Sequence, residues 1–399
     1  MNEKIVLAYS GGLDTSVAVR WLQEKYGAEI ATLTMDMGGK VDLEGARQRA
    51  LDIGAVRADV LDARDEFVAE YVWPALQAGA LYEGIYPLAT ALGRPLIVKH
   101  LVRIAQEEKA YAVAHGCTGK GNDQVRFDVS AAALAPQIKV LAPAREWGMS
   151  RDDEIAYAQE KHIELDLNKR SPYSVDENLW GRSIEAGDLE DPWAEPPEEA
   201  YAWTVAPAAA PDEARYVEIT FSRGIPVAVD GEKLSGTALV ELMNEIAGQH
   251  GVGRIDHIEN RLVGIKSREI YEAPAAVVLH QAHRAMESMC LSKEQARFKE
   301  RMGQEYADLV YNGLWFSAHR RDLDAYVRST QTHVSGTIRA RLYKGTCAVV
   351  GRSSDESLYR HDLATYDASD TFDHQASVGF IHLFGLPVRT QAEVQGDQQ

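Results

Sequence analysis

Short apolar runs alternate with helical segments through the first half of the chain, and this alternation constrains the fold more than any other feature. The strand candidates are short enough for buried parallel strands and lie at residues 5–9, 29–35, 56–61, 111–115 and 138–141. The helix candidates between them cover residues 15–26, 42–53 and 95–108. Gly27 and Gly54 are placed to end the first two helices. This order predicts an α/β domain with a doubly wound parallel sheet.

The pattern changes after about residue 165, and prolines then cluster between residues 192 and 211. Strand candidates follow at residues 216–222, 226–229, 332–343 and 346–351, and helix candidates at residues 236–247 and 273–311. Elements that group in this way predict an α+β second domain. An amphipathic segment at residues 373–384 predicts a C-terminal helical arm. The expected domains are residues 1–165, 166–365 and 366–399.

The charge of the chain limits its partners. The 399 residues include 42 basic and 60 acidic side chains, for a formal net charge of −18. A surface this acidic repels phosphate backbones, which argues against a nucleic-acid or anionic-membrane binder. The three cysteines lie far apart, so neither a disulfide framework nor a structural zinc site is expected. We see no signal peptide and no apolar run near the roughly 20 residues that span a bilayer, so the expected location is the cytoplasm.

A glycine-rich turn follows the first strand candidate directly. Residues 10–16 read Ser-Gly-Gly-Leu-Asp-Thr-Ser and lead into a helix. Glycines let backbone N–H groups approach an anion, and the helix N-terminus adds donors and a favourable dipole. The turn lacks the Gly-Lys-Ser/Thr of a Walker A loop and the Gly-x-Gly-x-x-Gly of a dinucleotide site. It predicts a phosphate loop, and the alternative is a plain strand–helix turn capped by Asp14.

A second motif, His-Gly-Cys-Thr-Gly-Lys-Gly-Asn-Asp-Gln-Val-Arg-Phe, occupies residues 115–127. Asn122 can cap the helix that follows, and it shares a helix face with Arg126. Asp123 is rotated by about 100° from Asn122. Arg126 suits a carboxylate and Asp123 an ammonium, so two neighbouring faces could hold two amino acids. The alternative is a capped helix with a solvated Asp and Arg.

Both motifs resemble those of a known enzyme group. The turn at residues 10–16 is similar to the S-G-G-x-D-x-S loop of the ATP pyrophosphatases, which cleave ATP between the α and β phosphates. The run at residues 115–127 resembles the argininosuccinate synthase family of that group. Further similarity to this family lies at residues 84–88, 93–95, 171–183, 251–256, 259–261 and 266–272. The resemblance covers most of the chain and implies a Rossmann-like nucleotide-binding domain of the pyrophosphatase type.

The resemblance also implies a reaction. In this family ATP, citrulline and aspartate give argininosuccinate, AMP and pyrophosphate through citrullyl-AMP, as a step of arginine biosynthesis. The implied small molecules are therefore citrulline, aspartate, ATP and Mg²⁺. Family members are typically homotetramers with a C-terminal helical arm, so residues 373–384 are expected to pack on a neighbouring subunit.

The resemblance assigns residues to each substrate. The ATP site comprises Ala8, Tyr9, Ser10, Gly11, Gly12, Leu13, Asp14, Thr15, Ser16, Met35 and Gly116. The citrulline site comprises Tyr86, Asn122, Arg126, Ser174, Ser183, Glu259 and Tyr271. The aspartate site comprises Thr118, Asn122 and Asp123. No protein ligand for a metal is assigned, and Mg²⁺ is expected on the ATP phosphates.

Two details carry structural expectations. Ser174 and Ser183 are nine residues apart, which places them on different faces of one helix or one strand. If both bind citrulline, their segment must be a loop that wraps the ligand. Ala91 stands where the family usually has a serine, so a citrulline hydrogen bond is missing or supplied by Thr90. Met35 replaces a small residue near the adenine, and it is flexible enough to pack on a purine.

Two other functions stay open at this point. Another pyrophosphatase-class ligase, such as a tRNA-sulfur or amide-forming enzyme, would be expected to show basic patches with paired cysteines, or a source of ammonia. An ATP-sensing module without turnover belongs to a different class. The cluster of Asn122, Asp123 and Arg126 discriminates against a sensor, because a sensor needs no amino-acid pockets.

Overall fold

The computed structural model describes residues 3–39, 42–164 and 172–396. The chain forms two compact units, one that runs to Glu356 and one that begins at Ser357. The predicted boundary between residues 165 and 166 lies outside the described residues. Within the described ranges, no helix is long and apolar enough to cross a membrane.

A parallel sheet forms the first part of the larger unit. Its strands are β1 (Lys4–Ala8), β2 (Glu29–Asp36), β3 (Arg57–Asp62), β4 (Ala112–Ala114) and β5 (Lys139–Leu141). They lie in the order β3-β2-β1-β4-β5, and every neighbouring pair is parallel. The direction of winding reverses between β1 and β4, and ligands of open α/β sheets bind beyond the carboxyl ends of strands at such a switch point. The loops after β1 and β4 carry the two sequence motifs, so the topology brings both motifs to one crevice.

Helices cover both faces of this sheet. The helices of this part of the chain are α1 (Leu13–Tyr26), α2 (Leu43–Ile53), α3 (Arg64–Phe67), α4 (Trp73–Ala78), α5 (Ala89–Glu107), α6 (Asp123–Leu134), α7 (Pro143–Glu146) and α8 (Arg151–Glu160), with a π-helical turn at Val68–Val72. Ile5 and Leu7 of β1 pack with α1 and α2, whereas Val6 packs with α5 and α6. Successive strand residues point to opposite faces, so this division confirms the doubly wound prediction. Gly27 and Gly54 end α1 and α2, as expected.

Helix α5 begins at Ala89, and the prediction that it starts at Pro95 was wrong. A proline inside a helix removes one backbone hydrogen bond, so the sequence favours a start at the proline. Here the preceding turn, residues 89–93, is buried in the core. The Thr90 N–H also donates to the Tyr86 hydroxyl at 3.0 Å. Burial of this turn offsets the bond lost at Pro95.

Two antiparallel sheets and four longer helices form the second part of the larger unit. The strands are β6 (Ser174–Asn178), β7 (Gly181–Glu185), β8 (Arg215–Ser222), β9 (Ile225–Val229), β10 (Glu232–Lys233), β11 (Arg254–Asn260), β12 (Lys266–Glu272), β13 (Gly336–Tyr343) and β14 (Thr346–Ser353). The sheet orders are β11-β12-β7-β6 and β10-β9-β8-β13-β14. The helices are α9 (Gly236–Gln249), α10 (Pro274–Cys290), α11 (Lys293–Tyr311) and α12 (Ala318–Thr330), with 3₁₀ turns at Gly187–Glu190, Glu198–Ala200 and Gln331–His333. This mixture confirms the α+β prediction.

The helix predicted at residues 273–311 is two helices. Helix α10 ends at Cys290, and Ser292 caps α11 by accepting the Gln295 N–H at 3.3 Å. The Gln295 side chain accepts the Ser292 N–H in return at 3.2 Å, which completes a capping box. The strand predicted from residue 332 begins at Gly336, because Gln331–His333 form a 3₁₀ turn.

The smaller unit contains α13 (His361–Ala364) and α14 (His374–Gln395). Asp373 caps α14 by accepting the N–H groups of Gln375 and Ala376. The predicted C-terminal helix is confirmed, and it continues through Pro387 to Gln395. Its large apolar side chains are exposed, with Phe384 at 74%.

Candidate active site

The loop after β1 is ordered by its own hydroxyl groups. Gly11 has a φ of +79°, and the extended Gly12 is the N-cap of α1. The Ser10 hydroxyl accepts the Gly12 N–H at 3.4 Å and lies 3.1 Å from the Thr15 hydroxyl. A left-handed glycine that leads into a helix N-terminus is an arrangement that binds phosphate. The guanidinium of Arg49, which the sequence prediction missed, donates to the Gly11 carbonyl at 2.8 Å.

Two of the predicted ATP residues turn their side chains into the core. The hydroxyls of Tyr9 and Ser16 lie 2.9 Å apart, and both residues are buried. The Tyr9 carbonyl accepts the Thr34 hydroxyl at 3.0 Å. Burial raises the pKa of Tyr9 above its ordinary value. The Tyr9 and Ser16 side chains therefore join the two ends of the loop, and the Tyr9 carbonyl fixes the loop to β2.

The two predicted ATP residues outside residues 8–16 lie on or directly after strands that adjoin β1. Met35 is half-buried near the end of β2, beside β1. Gly116 follows β4, and a Cβ built there would lie 3.0 Å from Thr15 Cγ2. Any side chain at Gly116 would therefore push against Thr15 of the phosphate loop.

A pair of carboxyl groups lies at the start of α1. The N-cap is Gly12, so the capping role considered for Asp14 is not observed in the described part of the chain. Asp14 instead lies near Glu154 of α8, and its negative charge acts on the Glu154 carboxyl group. Burial, together with the charge of Asp14, raises the pKa of Glu154 to about 8. Across the described residues, no group of three or more His, Cys, Asp or Glu side chains could hold a metal ion.

Replacing Glu154 by glutamine is expected to stabilise the protein at pH 8 but not at pH 5. The carboxyl pKa is raised from 4.5 in the unfolded chain to about 8 in the folded one. As pH rises between these values, the unfolded chain loses the proton and the folded chain keeps it, so wild-type stability falls. Glutamine carries no proton to lose. Thermal unfolding at both pH values should show the variant gaining a few degrees at pH 8 only. Asp152→Asn also removes one carboxyl group from α8, but at an exposed position, and its effect should not depend on pH in this way. If Glu154→Gln changed the stability equally at both pH values, the argument would be contradicted.

The loop after β4 is held by side chains of α6. His115 Nε2 lies 2.9 Å from Asp128, and its Nδ1 accepts the Cys117 N–H at 3.2 Å. Gln124 donates to the carbonyls of Gly119 and Gly121 at 2.6 and 3.2 Å. The loop therefore has a defined path, and it leaves Thr118 exposed.

Asp123 is pinned between two arginines. One carboxylate oxygen accepts from Arg126 at 2.7 Å and the other from Arg94 at 2.8 Å. Arg94 also pairs with Asp176 of β6. Partial burial pushes the pKa of Asp123 upward, but the charges of Arg94 and Arg126 outweigh this and hold the pKa below its ordinary value. The expectation of separate faces for Asp123 and Arg126 was therefore incomplete, because the two side chains meet.

Arg126 is almost fully buried, with 3% of its surface exposed. Its Nε donates to the Tyr311 carbonyl at 2.9 Å, and Nη1 binds Asp123. Its Nη2 has no hydrogen-bond partner within the described ranges. A buried guanidinium nitrogen without a partner is costly, so this nitrogen suits a carboxylate ligand.

Asn122 is the N-cap residue of α6, as the sequence predicted, but its side chain makes no capping hydrogen bond in the described structure. That side chain instead bonds elements from the second part of the chain. Its Nδ2 donates to the Tyr311 hydroxyl at 2.8 Å, and its Oδ1 accepts the Leu262 N–H at 2.9 Å. Tertiary contacts thus use the polar atoms that a cap would need.

The segment with Ser174 and Ser183 is a hairpin, so the prediction of a wrapping loop was wrong. Ser183 pairs with Asp176 across the hairpin and with Tyr271 of β12 on its other side. Residues opposite one another share a sheet face, as do residues two apart on a strand. Ser174 therefore lies on the same face as Ser183 and Tyr271. The nine-residue spacing was applied to a single strand, but a turn separates the two serines. The turn pairs their strands side by side, so both serines lie on one face of the sheet.

Glu259 lies on that same sheet face and is bound by two tyrosines. Its carboxylate oxygens accept from the hydroxyls of Tyr271 and Tyr311, each at 2.6 Å. Tyr86 stacks on Tyr271 with ring centres 4.2 Å apart. The Tyr86 hydroxyl lies 2.8 Å from that of Thr90, the residue before Ala91. Glu259 is 3% exposed, and it retains lone pairs that a cation could use.

Comparison with known proteins covers nearly the whole chain. Two family models match, described as arginosuccinate synthase N-terminal HUP domain over residues 4–164 and arginosuccinate synthase C-terminal domain over residues 173–391. The chain belongs to the argininosuccinate synthase family. It is 58% identical to the argininosuccinate synthase of Dehalococcoides mccartyi, over 99% of this chain and 97% of that one. Identity is 58% to the Symbiobacterium thermophilum enzyme, over 99% and 98% of the two chains, and 56% to that of Oceanobacillus iheyensis, over 100% and 95%.

Argininosuccinate synthases are ligases that use ATP, so the sensor and the other pyrophosphatase-class ligases are not favoured. Sequence reasoning missed several residues that the structure places among the expected ones. They are Arg49, Arg94, Glu154, Asp176 and Tyr311. Arg94 lies in residues 93–95, a segment that is similar to the family, so the sequence could have indicated it. Tyr311 had none, because only the folded chain brings the end of α11 to this site.

Proposed function

We propose that this chain makes argininosuccinate from citrulline and aspartate at the crevice beyond β1 and β4, with ATP converted to AMP and pyrophosphate. One observation carries the proposal. The phosphate loop and the cluster of Asp123, Arg126 and Glu259 come from separate stretches of sequence, yet the fold groups loop and cluster around one switch point. An ATP site beside two amino-acid subsites is what this condensation needs.

The ATP proposal rests on the loop from Ala8 to Ser16. Backbone N–H groups around Gly11 and Gly12 would bind the leaving pyrophosphate, with Ser10 and Thr15 as hydroxyl donors. The Arg49 charge beside Gly11 supports an anion there. Mg²⁺ would sit on the ATP phosphates and neutralise their charge, since the described residues offer no cluster of three ligands.

The citrulline proposal matches each charge to a partner. Arg126 Nη2, which has no partner among the described residues, would bind the carboxylate, and Glu259 would bind the ammonium. Asn122, Ser174, Ser183, Tyr86 and Tyr271 would surround the neutral chain and ureido group with amide, hydroxyl and aromatic surface. The common sheet face of Ser174, Ser183 and Tyr271 supports this set.

The aspartate proposal places the second amino acid at the start of α6. Asp123 would attract its ammonium, with Asn122 and Thr118 as further partners. Arg94 keeps Asp123 in place, and its Nε has no partner in the described residues, which supports a carboxylate nearby.

The proposed chemistry has two steps. The citrulline ureido oxygen forms a bond to the α-phosphorus, and the bond from that phosphorus to pyrophosphate breaks. The aspartate amine then bonds to the activated carbon, loses a proton, and displaces AMP. The amine attacks in its neutral form, and we assign no residue as its base. The protein supplies alignment and charge stabilisation at the loop.

Pyrophosphate release tests the function. Protein with ATP and Mg²⁺ is given citrulline, aspartate, or both. We expect release to require citrulline, and argininosuccinate to form only when aspartate is also present. ATP binding without citrulline-dependent release would overturn the proposal.

We also propose that the chain is a cytoplasmic homotetramer in which α14 packs on a neighbouring subunit. The exposed apolar side chains of α14, among them Phe380, Ile381 and Phe384, support an interface, because such surfaces are rarely left in water.

Deleting residues 373–399 is expected to lower the oligomer mass measured by light scattering, because the apolar face of α14 is lost. Deleting only residues 396–399 keeps that helix, so the number of subunits in the oligomer should not change. A tetramer that survives the longer deletion would contradict the proposal.

A further inference from the structure

Tyr311, the last residue of α11, lies between residues assigned to different substrates. Its hydroxyl donates to Glu259 at 2.6 Å and accepts from Asn122 Nδ2 at 2.8 Å. Its carbonyl accepts from Arg126 Nε at 2.9 Å. Its ring stacks on Tyr82 with centres 3.5 Å apart, and the residue is fully buried. This one residue thus contacts three proposed substrate-binding residues, two through its hydroxyl and one through its backbone carbonyl.

The hydrogen bonds around Tyr311 have a fixed direction. The Leu262 N–H donates to Asn122 Oδ1, so the Asn122 amide nitrogen must face Tyr311. The Tyr311 oxygen therefore accepts, and its single proton goes to Glu259. The chain runs from Leu262 through Asn122 and Tyr311 to Glu259. One Asn122 proton and the remaining lone pairs of Glu259 stay available for substrates.

The environment keeps this phenol protonated. Burial, followed by the charge of Glu259, raises the pKa of Tyr311 far above its ordinary value. The donor to Glu259 therefore persists across the working pH range. A carboxylate with a permanent donor is held in one orientation, and the same hydroxyl oxygen holds the Asn122 amide by accepting its N–H.

We propose that Tyr311 is a positioning residue that couples the citrulline subsite to the aspartate subsite through Glu259 and Asn122. This inference rests on the proposed function. Citrulline bound at Glu259 shares that carboxylate with the Tyr311 hydroxyl, so its binding acts on the same hydrogen bonds that present the Asn122 amide to aspartate. The same chain works in reverse, because coupling between two binding sites is reciprocal.

Tyr311→Phe tests the proposal, with Tyr306→Phe as the matched control. Tyr306 lies on the same helix, is equally buried, and donates its hydroxyl to Asp324 at 2.9 Å, away from the proposed substrate residues. In Tyr311→Phe we expect the KM of citrulline and of aspartate each to rise about tenfold, with the KM of ATP within about twofold of wild type. Tyr306→Phe should leave all three KM values within about twofold. Thermal unfolding reports whether both variants lose similar stability.

Direct binding measures the coupling itself. Citrulline affinity is measured by calorimetry on protein loaded with α,β-methylene-ATP, with and without aspartate. We expect aspartate to tighten citrulline binding several-fold in wild type and in Tyr306→Phe, and not in Tyr311→Phe. Unchanged KM values and intact coupling in Tyr311→Phe would overturn the inference.

Glu259→Gln provides a second variant should Tyr311→Phe fail to fold. Glutamine presents one acceptor and one donor, so one of its two tyrosine partners must reverse its bond. Reversal at Tyr311 disturbs Asn122, and the KM of aspartate should rise although Glu259 is not assigned to aspartate. An aspartate KM that moves in neither variant contradicts the coupling. A wild-type protein that makes no argininosuccinate would instead sink the proposed function, so the two failures are distinguishable.

Discussion

Replacing Arg126 by lysine is expected to reduce citrulline-dependent kcat/KM about 100-fold, measured as pyrophosphate release with saturating ATP. Lysine keeps the positive charge beside Asp123, so no buried charge is left unpaired. It loses the fork that reaches the Tyr311 carbonyl and a ligand carboxylate at once. The lost hydrogen bonds to a charged group account for an effect of this size.

Arg320→Lys is the matched control for Arg126→Lys. Arg320 is also buried, pairs with Asp324 at 2.9 Å and lies over the Trp315 ring, and its Nε has no partner among the described residues. Among the described residues, Arg320 contacts none of the proposed substrate-binding residues. The control should lose stability but keep kcat/KM for citrulline within about threefold of wild type. Equal losses of activity in both variants would show that Arg126 acts only through folding.

Replacing Gly11 by alanine is expected to weaken ATP binding at least about tenfold. The φ of +79° is unfavourable for alanine, and the added Cβ would lie 3.0 Å from Ala46 Cβ and 3.1 Å from Arg49 Nη1. The loop must shift, and the backbone N–H groups proposed to bind pyrophosphate shift with it. Calorimetric titration with α,β-methylene-ATP measures the effect.

Gly27→Ala separates backbone strain from loss of the phosphate site. Gly27 ends the same helix with a φ of +61°, and no described atom lies within 4 Å of a Cβ built there. Both variants should lose about 1 kcal/mol of stability from the left-handed backbone, whereas only Gly11→Ala should lose ATP affinity. Normal ATP binding by a folded Gly11→Ala variant would contradict the assignment of the loop.

The sequence was enough to predict a structural feature where a single residue type favours that feature by its own backbone conformation. Gly27 and Gly54 end their helices because glycine adopts the left-handed backbone at little cost. The errors arose where tertiary packing overrode a local preference. Pro95 lies inside α5 because the turn before it is buried, and the Asn122 side chain does not cap α6 because Tyr311 and Leu262 bind its amide.

The sequence by itself determined the parallel sheet and the two loops that follow β1 and β4, since apolar runs and glycine turns are local features that strand topology brings to one crevice. Only the tertiary structure decided how the cluster is completed. The hairpin puts Ser174 and Ser183 on one face, Arg94 reaches Asp123 from α5, and Tyr311 joins Asn122 to Glu259 from a distant helix. Contacts between residues far apart in the chain depend on packing of whole elements, and no short stretch of sequence encodes them.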